Sequence, residues 1–376
     1  MKKYSRNNII YFYSYFVAQL IFIFVHSYLP FYFYDIINVN KSELAFVQII
    51  PYSALLIKPF ISIYFNNLKK VRVILIFSAV GIIASLILII FSLELLILFG
   101  IFLGINFIFI AFTDVAVDKI LVEESESEKE KARSSLFLQI GAASGAIMAP
   151  ALYLSSPSWS FYFLMIISLT LPIIFFMFFL IPPSRTEKIQ ETELKEEPII
   201  SVKNLLLMGT FIFFIYGDKL YEYPLEPWVE NIIGDTMFSI LLIILIAVNV
   251  VGIVIAGFVS HKLNKQKLLI YSAISSGILV MIAPFTNIVI FTILFAIIQI
   301  FAGFLLVNVI TLMIDISKKK VVYFQIMAVF SVFARILFIP LGTYLSDFIA
   351  TEWIIFVSGV IVLVSIVPMW FIKAEK

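Results

Sequence analysis

The stretch Pro182-Pro183-Ser184-Arg185-Thr186-Glu187-Lys188-Ile189-Gln190-Glu191-Thr192-Glu193-Leu194-Lys195-Glu196-Glu197-Pro198-Ile199-Ile200-Ser201-Val202 is the one long polar break in a chain of 376 residues. Six apolar runs precede it, centred near residues 20, 55, 82, 105, 145 and 170, and six follow it, near residues 212, 247, 277, 300, 333 and 361. Each run has about 20 residues, the length that crosses ~30 Å of hydrocarbon at about 1.5 Å per residue. The expected fold is therefore an all-α membrane protein with twelve transmembrane helices in two six-helix halves. The halves are bounded as 1–185 and 203–376, with a cytoplasmic linker over 186–202.

Composition supports lipid as the solvent. Hydrophobic residues make up 62% of the chain, against ~45–50% apolar residues in soluble proteins. Mean hydropathy is +1.09. The longest polar stretch is the linker, which leaves no room for a soluble domain.

Charge distribution sets the topology. With the N-terminus inside, the inner segments hold 22 of the 26 Lys and Arg residues, among them Lys69, Lys70, Arg72, Lys131, Lys265 and Lys318 to Lys320. The outer loops then hold Lys41 alone, and Lys58, Lys219 and Arg335 fall within spans. The positive-inside rule selects this twelve-span register with both termini cytoplasmic. One span more or fewer would scatter the basic loops over both faces.

The chain has no cysteine, which excludes disulfides, thiol catalysis and Cys-based metal sites. Met1 to Asn8 is basic and precedes an apolar run, as in a signal peptide. The run continues to about Tyr34 without a small-residue cleavage site, and it reads as span 1. Glu123, Glu124, Glu126, Glu128 and Glu130, interleaved with Lys129, Lys131 and Arg133, read as a solvated cytoplasmic loop opening a surface helix.

Internal echoes and breaks add detail. Ala149-Pro150-Ala151-Leu152-Tyr153-Leu154-Ser155 in span 5 parallels Ile339-Pro340-Leu341-Gly342-Thr343-Tyr344-Leu345-Ser346 in span 11. Gly141 and Gly145, four apart, allow a neighbouring helix to approach closely. Span 7 is oily from Val202 to Tyr216 and then meets Gly217, Asp218, Lys219, Tyr221, Glu222, Tyr223, Pro224, Glu226 and Pro227. A hydrophobic segment interrupted by Gly, Pro and charge points to a solute site between related halves.

Charges inside a bilayer cost ~2.5–3.5 kcal/mol each and mark cavities or buried partners. Arg335 lies 14 residues into span 11, about 21 Å from the cytoplasmic edge. Its planar guanidinium suits a carboxylate or phosphate; the alternative is a structural ion pair. Asp218 and Glu222 share a helical face and can share a proton, and Lys219 is three residues from Glu222. The alternative is that span 7 ends early and these groups meet water. His26 in outer span 1 can relay protons or pack a helix. Asp114 and Asp118 share one face at the inner end of span 4, and Lys58 precedes Pro59 at a similar depth in span 2. Such opposite charges can latch a gate, or touch solute directly.

These residues resemble the major facilitator superfamily over essentially the whole chain, and within it the branch of folate–biopterin transporters, muropeptide permeases and acetyl-CoA transporters. Ile50-Pro51-Tyr52 with Ile57-Lys58-Pro59-Phe60 is similar to that branch's span 2. Thr113-Asp114-Val115-Ala116-Val117-Asp118 with Val122-Glu123 is similar to its span 4, and Tyr216-Gly217-Asp218 to the opening of its span 7. The loop between spans 2 and 3, with Ser62-Ile63-Tyr64-Phe65-Asn66-Asn67, lacks the two glycines and the aspartate usual there. The resemblance implies a secondary active transporter working by alternating access, with spans 1, 4, 7 and 10 lining a central cavity. It implies gating or coupling roles for Asp114, Asp118, Lys58, Lys69, Lys70 and Arg72.

The expected solute is a small organic anion, possessing an aromatic or heterocyclic part and bound by Arg335, Asp218, Lys219, Glu222, Tyr221 and His26, with protons as the coupling ion. No cofactor or metal is expected. The lipid bilayer is the chain's surroundings, a prokaryotic plasma membrane the expected location, and a monomer the expected state. Two isolated histidines, His26 and His261, and no cysteine argue against an enzyme. A lipid flippase and a sensor that binds without transporting are the competing readings on the same fold. Basic residues spread over every inner loop argue against nucleic-acid binding.

Overall fold

The computed structural model describes residues 3–23, 41–65, 71–125, 127–155, 158–180 and 201–372. Every described regular element is helical, and the helices fall at the twelve expected places. Span 1 is Lys3–Ile23, and span 2 is Lys41–Ala54 continued through a 3₁₀ turn, Leu55–Ile57, into Lys58–Phe65. Spans 3 to 6 are Val71–Phe91, Leu96–Glu124, Glu128–Ser155 and Trp159–Leu180. Span 7 is Val202–Ile215, a 3₁₀ stretch Tyr216–Leu220, and Glu222–Ile233. Spans 8 to 11 are Asp235–Val259, Lys265–Ile282, Ile288–Ser317 and Val321–Leu345, and span 12 is Thr351–Val364 with Ile366–Phe371.

Nine of these, spans 2 to 5 and 8 to 12, are by themselves long and apolar enough to cross a membrane among the described residues. Span 7 fails that test for the reason its sequence suggests: charge and a broken helix fall in its middle. The expected linker 186–202 lies, except for Ser201 and Val202, outside the described residues, as do His26, Lys69 and Lys70.

The exposed surface carries Phe60, Phe77, Phe91, Ile97, Phe258, Tyr271, Val289 and Trp370, as expected where lipid replaces water. With no hydrophobic drive between helices in lipid, close packing holds them together. Span 5 lies on span 1 at Gly141 and Gly145, where an added Cβ would fall 2.2 Å from the Phe12 carbonyl oxygen and 2.3 Å from that of Phe16. Across the two halves, span 5 packs on span 8 and span 2 on span 11.

Candidate functional site

The break in span 7 has a local cause. Pro224 has no N–H to return to the carbonyl of Leu220, and in the first turn of Glu222–Ile233 that loss is tolerated. The Leu220 carbonyl instead faces span 11 at Gly342, where a Cβ would lie 1.7 Å from the oxygen. Only a glycine permits that approach. That contact lies near the end of span 11, and two turns earlier Tyr216 of the 3₁₀ stretch faces the Arg335 guanidinium.

Between the halves is a cavity of about 490 Å³, within the ~300–1,000 Å³ typical of small-molecule sites. Its walls differ in character. Spans 1, 2, 4, 7 and 11 supply Tyr15, Lys58, Asp114, Asp118, Asp218, Lys219, Glu222 and Arg335. Spans 5, 8 and 10 supply small and aliphatic side chains, with Gln139, Asn249 and Gln299 set among them. Asn249 Nδ2 donates to the Gln299 carbonyl at 3.0 Å and to its Oε1 at 3.3 Å.

Arg335 sits in an aromatic setting. Its guanidinium carbon lies 5.3 Å from the Tyr216 ring centre and 5.7 Å from that of Phe22, within cation–π range. Tyr52 and Tyr216 lie near enough to interact electrostatically with it. The group thus joins spans 1 and 2 of one half to spans 7 and 11 of the other.

Lys219 donates to Glu222 Oε1 at 3.1 Å and lies 3.6 Å from Asp218 Oδ2. One lysine is therefore shared by the two carboxylates, Asp218 and Glu222. Tyr221 lines the same cavity and meets Phe295 edge-on at 5.9 Å.

Toward one end of the cavity, Lys58 donates to Asp114 Oδ2 at 2.7 Å. Both residues belong to the first half, so this pair joins spans 2 and 4 and does not bridge the halves. Asp118, one turn further, accepts from the Tyr15 hydroxyl at 3.1 Å and from Gln325 Nε2 of span 11 at 2.7 Å, which does bridge them. A second bridge lies beyond it. Lys131 donates to Asp315 at 2.5 Å and to Glu128 at 2.8 Å, and Lys265 donates to Asp315 at 2.5 Å and also to Glu128. At the opposite end, the Thr343 hydroxyl donates to Gln48 Oε1 at 3.5 Å.

The structure brings Arg335, Asp218, Lys219, Glu222, Tyr221, Lys58, Asp114 and Asp118 to one cavity. Arg72 opens span 3, but its side chain lies outside the described residues, together with His26, Lys69 and Lys70. Glu128 and Lys131 belong to the run whose pattern predicts a solvated loop opening a surface helix, and Glu128 is indeed half exposed. They begin span 5 itself, and they face Asp315 and Lys265 because the helix ends of both halves converge there. Tyr15, Gln325 and Asp315 carried no signal of their own: a tyrosine, a glutamine and an aspartate near span ends are ordinary.

No family model matches the chain, and no curated protein matches it. Solved structures match over nearly its whole length. FucP, a major facilitator superfamily transporter in the outward conformation, is 14% identical, with 100% of this chain and 99% of that one covered and a TM-score of 0.70. The human organic anion transporter MFSD10 (TETRAN) is 10% identical, with 98% and 100% covered and a TM-score of 0.75. The proton:xylose symporter XylE, bound to 6-bromo-6-deoxy-D-glucose, is 13% identical, with 98% and 95% covered and a TM-score of 0.73. At such identities the likeness carries architecture alone. The chain is an integral membrane protein with the fold of the major facilitator superfamily.

Proposed function

We propose that this protein is a secondary active transporter that moves a small organic anion across the membrane by alternating access. The observation that carries the reading is Arg335, a guanidinium at mid-span, lining a cavity between the halves and framed by aromatic faces. A cation held there on ring faces can pair with a planar anion and stack its carrier. The opposite wall, built from Ala142, Ala143, Ala146, Ile246, Ile253 and Leu306, suits an apolar body. Gln139, Asn249 and Gln299 suit neutral polar substituents on it. The fold-mate described as an organic anion transporter agrees with this class.

In this reading the halves 1–185 and 203–376 rock about the cavity, with 186–202 as the linker, in a prokaryotic plasma membrane with both termini cytoplasmic. The chain acts as a monomer. Asp218, Lys219, Glu222 and Tyr221 hold the solute beside Arg335, and His26 is assigned to solute binding from the sequence alone. Lys58, Asp114, Asp118 and the basic loop Lys69, Lys70 and Arg72 serve the cytoplasmic closure, and protons supply the coupling. The proposed kinship with the folate–biopterin, muropeptide and acetyl-CoA branch rests on residues of spans 2, 4 and 7. Two of these, Lys58 and Asp114, form an ion pair.

The test is uptake into vesicles containing the purified protein, with a panel of aromatic and aliphatic organic anions, with and without a proton gradient. Uptake of at least one anion, abolished in Arg335→Ala protein that remains folded, is the expected result. Binding without flux would make the protein a sensor, and phospholipid movement in the same vesicles would make it a flippase. Anion uptake undiminished by Arg335→Ala overturns the role of Arg335.

A further inference from the structure

Asp118 has partners that suit a carboxylic acid better than a carboxylate. It is 4% exposed. Both hydrogen bonds to it come from neutral donors, the Tyr15 hydroxyl to Oδ1 and Gln325 Nε2 to Oδ2. A buried carboxylate is costly without a cation. The charged and titratable groups around it are Asp114 on its own span, Lys58 of span 2 and Tyr15 of span 1. Lys58 is committed to Asp114 at 2.7 Å, and span 11 presents the neutral Gln325 amide.

A second observation is independent of the first. Gln325 is fully buried, and its Oε1 has no hydrogen-bond partner among the described residues. Buried amide oxygens are almost always satisfied, so this one points to a missing donor. A carboxylate can only accept, and whichever way the amide is turned, one of its two polar atoms is left over. A carboxyl group that carries a proton removes the mismatch. One oxygen accepts from Nε2 while the O–H donates to Oε1, closing a cyclic acid–amide pair.

We propose that Asp118 is a proton-binding site whose protonated form ties span 4 to span 11 through this two-bond pair with Gln325, and that losing the proton releases the cytoplasmic closure. The proposal rests on the alternating-access reading and assigns the coupling proton to Asp118, ahead of Asp218 and Glu222. The exchange is one proton between the carboxyl group and the aqueous cavity that Asp118 lines; no other bond forms or breaks. Loss of the proton leaves an uncompensated charge and an unmet acceptor. Both are relieved when the spans part and water enters.

The chain has no cysteine, so spin labels at Lys129→Cys and Lys267→Cys, exposed positions at the cytoplasmic ends of spans 5 and 9, would report on the two halves without background. The label separation is measured in nanodiscs from acid to alkaline pH with no solute present. The expected result is a short separation at acid pH that lengthens as pH rises. Asp118→Asn, whose amide can make both bonds to Gln325, should hold the short separation throughout. Gln325→Met should lose the pH response. A separation insensitive to pH in the labelled parent, or an unchanged titration in Asp118→Asn, overturns the proposal. If Asp118→Asn does not fold, an unchanged titration in Gln325→Met does so. Because no solute is used, a pH response without flux would retire the transport reading and leave this site standing. Flux without a pH response would do the reverse.

Discussion

Lys131 and Asp315, 184 residues apart in sequence, meet at 2.5 Å and bind the start of span 5 to the end of span 10. Lys265 and Glu128 complete the cluster, so two cations and two anions from both halves meet at that end of the molecule. Glu128 is half exposed, and the cluster is therefore screened. A double-mutant cycle with Lys131→Ala and Asp315→Ala should give a coupling of about 1 kcal/mol or less, falling further at high salt. Chemical denaturation of the purified protein in low and high salt measures it, and a coupling that rises with salt would contradict the screened geometry.

The Lys58 and Asp114 pair is more deeply set, with side chains 12% and 8% exposed. Lys58→Met leaves Asp114 without its cation and should destabilise the protein by about 3 kcal/mol. Adding Asp114→Leu should recover much of that loss, because no unpaired charge then remains. Thermal unfolding of the two variants side by side decides. A double variant less stable than Lys58→Met would show that the pair itself, and not the stranded charge, is what matters.

Gly141→Ala should push span 5 away from span 1. The new methyl group would sit 2.2 Å from the Phe12 carbonyl oxygen, and the obstacle is backbone that cannot rotate aside. A loss of about 1–3 kcal/mol is expected, typical of overpacking. Ala142→Gly, beside it on the cavity wall, should cost about 1 kcal/mol by helix propensity alone. Equal losses in the two variants would argue against the close approach.

Arg335→Lys keeps the charge but loses the planar fork and the ring stacking. For an anion identified by uptake, its affinity should fall about tenfold or more, in line with ~1.5–3 kcal/mol for a charged hydrogen bond. Arg335→Ala should fall further. Ligand-induced thermal stabilisation reads both. If Lys serves as well as Arg, the site needs only a positive charge at mid-span.

Much of the architecture is legible along the chain because hydropathy and charge act residue by residue. Lipid demands an apolar helix of about 20 residues wherever the chain crosses it. Basic residues stay on one face. The break in span 7 is legible for the same reason, since Gly217, Pro224 and the charges near them disrupt a helix locally. Arg335 stands out because lipid tolerates so few charges.

The partners of those charges are a different matter. Nothing in the order of residues says that Asp118 meets Gln325 rather than Lys58, or that Lys131 reaches Asp315. Those choices are made when one helix face turns toward another across a hundred residues or more, and they depend on close approaches such as Gly342 against the Leu220 carbonyl. The sequence alone determined that the chain is built from twelve membrane helices and where its costly charges lie, because solvation acts on each segment separately. Only the packed structure decided which charges share a cavity and which bind the halves together, because those relationships exist only between surfaces brought into contact.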